Sequence, residues 1–98
     1  MRSIRLVPGP VLIVALLSTT PAAALDTKAA GRCVALGALS EDYAAKATAI
    51  LATASATGHR ALVDQRAREE LAQLARLKHD KTGKDAWTFA AISACRSF

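Results

Sequence analysis

An all-α fold is predicted for this chain: a small bundle of three to four helices closed by one disulfide, after a cleaved N-terminal signal peptide. Three observations predict it. Helix-forming residues dominate and no proline follows Pro21, so no proline breaks a helix in the body of the chain. From Tyr43 onward the apolar residues recur at spacings of three and four and do not alternate, which is the period of a helix with one buried face. Two cysteines, Cys33 and Cys95, stand near the two ends of what remains after the leader.

The leader comes first in the chain. Arg2 and Arg5 precede an apolar segment from Leu6 to Leu17, and small residues follow, ending in Ala22, Ala23 and Ala24. A basic start, a short apolar stretch and an A-x-A ending make a secretory signal. A membrane anchor is the rival reading, but the unbroken apolar run from Val11 to Leu17 is far short of the roughly 20 residues that span a bilayer. Cleavage is expected between Ala24 and Leu25, giving a signal peptide over 1–24 and a single helical domain over 25–98. Cys33 lies well past that junction, which disfavours lipid attachment. Removing Arg2 and Arg5 from the thirteen basic residues leaves eleven against eight acids, a net charge of +3. Such a mild excess bears on solubility and gives no reason to expect a nucleic-acid partner. The expected location is the periplasm of a bacterium, with secretion as the alternative.

In the domain itself, Ala29, Leu36, Tyr43 and Ile50 recur every seven residues, with Cys33, Ala47 and Ala54 in complementary positions, as one long helix would have them. Ser40 followed by Glu41 and Asp42 argues instead for a fresh start, because acids favour a first turn. Geometry favours the break. One continuous helix would leave Cys95 roughly 20 Å from Cys33 along the bundle axis at about 1.5 Å per residue, whereas a disulfide needs Cα atoms within about 7 Å. Tyr43, Ala47, Ile50, Leu51 and Ala54 then form one face of a helix that stops at Gly58, a residue suited to the position just past a helix end. Val63, Ala67, Leu71, Leu74 and Leu77 form the next stripe, with Asp64, Arg68, Glu69, Gln73 and Arg76 turned to water. Pairs at i, i+4 are expected between Asp64 and Arg68, Arg66 and Glu70, and Asp80 and Lys84. The stretch "KHDKTGKD" reads as a break, after which Asp85 caps a last helix bearing Trp87, Ala91, Ala94, Cys95 and Phe98 on one side.

An even cysteine count in a small exported chain is read first as a disulfide, and two cysteines allow one intramolecular pairing. Intermolecular pairing and a reactive thiol are the alternatives, the latter without support from a C-x-x-C motif. Size supplies the physical reason for a staple. Nineteen of the residues from Leu25 onward are Ala, and the aromatics are Tyr43, Trp87, Phe89 and Phe98. A domain this short is marginal without reinforcement. Joining Cys33 to Cys95 closes a loop of roughly 60 residues, worth about 4 kcal/mol on a loop-entropy basis.

No group of residues announces catalysis or a cofactor. His59 and His79 stand at opposite ends of one predicted helix and so cannot share a metal. C-x-x-C-H is absent, which removes c-type haem, and Met1, the single methionine, leaves with the signal. Gly83 and Lys84 hint at a phosphate loop, but Lys78 stands where its first glycine belongs and Asp85 where its Ser or Thr belongs. Glu69 and Glu70 are adjacent on a helix and do not face each other. All of these read as solvated surface. The charged faces carry mixed signs, unlike a phosphate-tracking stripe or a membrane-surface helix.

The plan of leader, short helical chain and single disulfide is similar, in plan only, to that of the small periplasmic acid-stress chaperones. No motif around Cys33 or Cys95 extends the likeness, so it implies no residue roles. With no catalytic grouping in the sequence, the expected function is a non-enzymatic protein-protein interaction as chaperone, inhibitor or adaptor, with no cofactor. A small-ligand carrier using a cavity between helices is the alternative. The expected partner is another periplasmic protein or a second copy of the chain. One residue-level candidate stands out in the last helix. Phe89 and Ile92, beside Arg96, project nearly opposite the Trp87 side. Either this helix is sandwiched and buries both faces, or these three form an exposed interaction patch, since aromatic residues and Arg are enriched at interfaces.

Overall fold

The computed structural model describes residues 25–98, and the predicted signal peptide over 1–24 lies outside them. Four α-helices follow one another: α1 (Thr27–Leu39), α2 (Ala44–Ala56), α3 (Arg60–Leu77) and α4 (Lys81–Cys95), with a 3-10 turn at Glu41–Tyr43. The all-α expectation is met, and the disulfide joins Cys33 of α1 to Cys95 of α4 with Cα atoms 4.9 Å apart.

Asp26 starts α1 by accepting from the backbone N–H groups of Lys28 at 3.1 Å and Ala29 at 3.0 Å, two of the donors a helix start leaves unpaired. The helix ends at Ser40, whose backbone turns extended at φ −135° and ψ 125°. The heptad-like recurrence across residues 29–50 is thus shared between two helices, and the break favoured at Ser40 is the one observed. Folding α2 back against α1 lets both helices place Ala, Cys and Ile on a common interior: Ala30, Cys33, Ala35, Leu36, Ala47, Ile50 and Ala54 are all buried.

At the end of α2, Gly58 takes φ +78°, where a side chain would be strained. The His59 N–H then reaches Ala54 O at 2.8 Å and the Gly58 N–H reaches Ser55 O at 3.4 Å, closing the last turn as a Schellman motif. The reversal between α3 and α4 is tighter than expected. Lys78, at φ 48° and ψ −105°, turns the chain, and Asp80 already caps α4 by accepting from the Gly83 N–H at 2.9 Å. Asp85 therefore lies inside α4 and is not its cap. The expectation failed because Gly83 reads as a loop residue, although here its N–H is the donor that Asp80 needs.

α1 occupies the centre and packs against α2, α3 and α4. Gly31 makes this closeness feasible. A Cβ there would run into Arg66 Cβ and approach Ala67 N to 3.1 Å, so α3 passes directly over the bare backbone of α1. Val63, Cys33 and Cys95 are the largest fully buried side chains, a thin core for four helices. At the far end of α4, Lys46 of α2 donates to Cys95 O at 3.2 Å, a carbonyl of the helix's last turn, and to Phe98 O beyond the helix at 3.0 Å. Phe98 itself lies past the helix and is exposed.

Candidate functional site

The outward face of α4 is the surface that the sequence singled out, and its residues follow from helix geometry. Trp87, Ala91 and Cys95 point inward and are buried. At 100° per residue, Lys81, Asp85, Phe89, Ile92 and Arg96 then fall on the outer side in one row. Phe89 is 73% exposed, so the sandwiched account does not hold for its ring. Ile92 is half-buried and leans on the core, and Arg96 is exposed. Asp85, Thr88, Phe89 and Ile92 line a shallow depression of about 310 Å³. Lys81 donates to Asp85 at 3.1 Å across one turn. The three residues of the patch do share a face, with an aromatic ring standing proud and charges at both ends.

A second cluster escaped the sequence reading. Glu70 of α3 is buried and accepts three hydrogen bonds: Arg32 Nε to Oε1 at 3.0 Å, Arg32 Nη2 to Oε2 at 3.2 Å, and Trp87 Nε1 to Oε1 at 3.0 Å. Arg32 thus forms the planar fork that matches a carboxylate, and the indole N–H finds the partner it needs inside a protein. The predicted Arg66–Glu70 pair is replaced by Arg66–Glu69 at 3.4 Å. The predicted Asp64–Arg68 pair gives way to Arg60–Asp64 at 3.1 Å, and Asp80, expected to meet Lys84, is the cap of α4. Reading Glu70 as solvated surface was wrong for a physical reason. Tertiary packing brings Trp87 and Arg32 onto its side of α3, and a local i, i+4 rule is blind to that. The signal was present: Glu70 follows Val63 and Ala67 by seven and three residues, on the buried stripe. Both carboxylate oxygens of Glu70, the Trp87 indole N–H and two of the three Arg32 nitrogens are engaged within the triad, so its evident task is to lock three helices together.

The concave places between helices are open grooves. Leu39, Leu71, Leu74 and Ala75 with Lys78 and Lys84 line one of about 380 Å³. Leu25, Lys46, Ala49, Ile50, Thr53 and Phe98 line another of about 340 Å³. His59 sits at the start of α3 with Nδ1 2.9 Å from Thr57 Oγ1, and His79 lies beyond the other end. The two are not brought together. Among the described residues no helix is long and apolar enough to cross a membrane. Comparison with known protein families, characterised proteins and solved structures finds no match to this chain.

Proposed function

We propose that this chain is an exported, non-enzymatic interaction protein that binds a protein partner through the outer face of α4. The observation that carries this reading is the 73% exposure of Phe89 on a helix whose opposite face is buried. An exposed aromatic ring beside a half-buried Ile and an Arg matches the composition of interface cores. Export is supported by the leader and by the buried Cys33–Cys95 disulfide, a bond that persists in oxidising compartments. Immobilised oxidised protein in a periplasmic extract tests the reading. Phe89→Ser should fold normally and stay within about 0.5 kcal/mol of wild type in stability, as exposed substitutions do. It should nonetheless lose a partner that wild type retains. Equal retention by both proteins would remove α4 as the binding face.

A carrier function is the second reading, favoured by the groove of Leu39, Leu71, Leu74, Lys78 and Lys84. Apolar walls with two ammonium groups suit an anionic amphiphile. Native mass spectrometry of the purified protein should then show an adduct that Leu74→Lys removes.

A further inference from the structure

The row Asp85, Phe89 and Ile92 on α4 with Arg96 at its C-cap, still in helical conformation, is complementary to itself. Two copies of α4 laid antiparallel about a two-fold axis crossing midway between Phe89 and Ile92 bring each Phe89 against the partner's Ile92. The same operation brings each Asp85 against the partner's Arg96. Asp85 and Arg96 are eleven residues apart, about 16 Å along the helix, and equidistant from that axis, so both charge pairs form at once. A parallel arrangement would instead stack Asp85 on Asp85 and Arg96 on Arg96. The shallow depression lined by Asp85, Thr88, Phe89 and Ile92 gives the partner's Phe89 ring a place to sit.

We propose that the occupant of the α4 face is a second copy of this chain, held as an antiparallel two-fold dimer with Phe89–Ile92 contacts at its centre and Asp85–Arg96 pairs at its ends. This rests on the reading of α4 as a binding face and goes further by naming the partner. The arrangement is isologous, the commonest mode of self-association. The contact is one helix face from each copy, smaller than standard interfaces, so the dimer is a weak one, with a dissociation constant in the range of about 10 to 100 µM.

Sedimentation equilibrium of the oxidised protein from about 5 µM to about 0.5 mM tests it across that range. Wild type should move from monomer to dimer. Phe89→Ser should remain monomeric throughout. Asp85→Arg and Arg96→Glu should each weaken association about tenfold, because each places two like-charge contacts at the ends of the interface. The double variant Asp85→Arg/Arg96→Glu restores both pairs with signs exchanged and should recover most of the lost association, short of wild type because Arg at position 85 faces Lys81, which pairs with Asp85 in the wild type. All the altered side chains are exposed in the monomer, and Trp87 fluorescence verifies that each variant is folded. A wild type still monomeric at about 0.5 mM overturns the proposal, and so does a dimer that survives Phe89→Ser. A double variant no better than its parents overturns the antiparallel register and the proposal with it. A different protein captured through Phe89 by a chain that stays monomeric would leave the binding face standing and remove only the second copy.

Discussion

Trp87 Nε1 and Arg32 Nε converge on one oxygen of Glu70, each at 3.0 Å. Three helices are joined at that atom: Trp87 from α4, Arg32 from α1 and Glu70 from α3. The next residue of α1 is Cys33, which holds α4 through Cys95. Trp87 and Cys95 are eight residues apart, about 12 Å along α4. The central helix therefore grips α4 at two levels, once through a shared carboxylate and once covalently. With a core of Ala, Cys and one Val in its deepest places, apolar packing alone would leave the register of α4 weakly specified, since small side chains interlock poorly. The triad and the disulfide supply the specificity that the core lacks.

Removing the carboxylate should therefore be costly. Glu70→Ala leaves a half-buried guanidinium and a buried indole N–H without their partner, and stability should fall by about 3 kcal/mol. Glu70→Gln retains an acceptor for Trp87 and loses the charge opposite Arg32, so about half that loss is expected. Glu69→Ala, one residue away and exposed, should change stability by less than about 0.5 kcal/mol. Urea unfolding followed by the single tryptophan, Trp87, reads all three. Equal losses at Glu69 and Glu70 would show that the triad does not hold the bundle.

The contrast between Glu69 and Glu70 also marks how far the sequence could be read. Helix class and the stop at Gly58 follow from local chemistry, periodicity and a glycine at a helix end; the Cys33–Cys95 pairing follows from there being two cysteines, and the break at Ser40 from the reach of that bond. Angular position puts Phe89 nearly opposite Trp87, but whether another helix covers that side depends on the packing, and the 73% exposure of Phe89 answers it. The missing pieces depend on which helices become neighbours. Glu70 turns inward because two other helices bring donors to it, and α4 begins at Lys81 because the Asp80 side chain meets the backbone of Gly83, a residue whose composition suggests a loop.

The disulfide should behave as an interior bond. Cys33 and Cys95 are 0% and 1% exposed, so a reductant reaches the sulfurs only when the domain opens. Alkylation of the native, unreduced protein should label neither cysteine, and reduction under native conditions should proceed no faster than global unfolding. Cys33→Ser/Cys95→Ser should lose about 4 kcal/mol on loop entropy, a large share of the roughly 5 to 15 kcal/mol typical of small domains. Labelling of both thiols without reductant would contradict the bond.

The proposed export should leave a chain that begins at Leu25. The small-residue ending at Ala22, Ala23 and Ala24 is of the kind at which such a leader is cut, and Asp26, two residues on, caps α1. Leu25 itself packs against the core cluster and lines the groove with Ile50 and Phe98. A cut at Ala24 thus leaves the Leu25 packing and the Asp26 cap in place. Intact-mass measurement and N-terminal sequencing of protein recovered from the periplasm should return Leu25. Recovery of Met1 on the exported protein would show that the leader is retained.

Gly31→Ala should destabilise the protein, against the direction of helix propensity. In an exposed helix interior, replacing Gly by Ala stabilises by up to about 1 kcal/mol. Gly31 is buried at the crossing of α1 and α3, where an added Cβ would collide with Arg66 Cβ and press on the Ala67 backbone, whose N lies 3.1 Å from it. Backbone cannot move aside without separating the helices, and α1 meets α3 within one residue of Arg32, which binds Glu70. Overpacking of this kind costs about 1 to 3 kcal/mol, so the net effect should be a clear loss, accompanied by a change in Trp87 fluorescence as the triad is pushed out of line. Arg66→Gly in the same chain relieves the Cβ clash but not the backbone approach, and should recover only part of the loss after its own propensity cost of about 1 kcal/mol. Thermal unfolding of Gly31→Ala checks the sign. A rise in melting temperature would mean that α1 and α3 are not in backbone contact at Gly31.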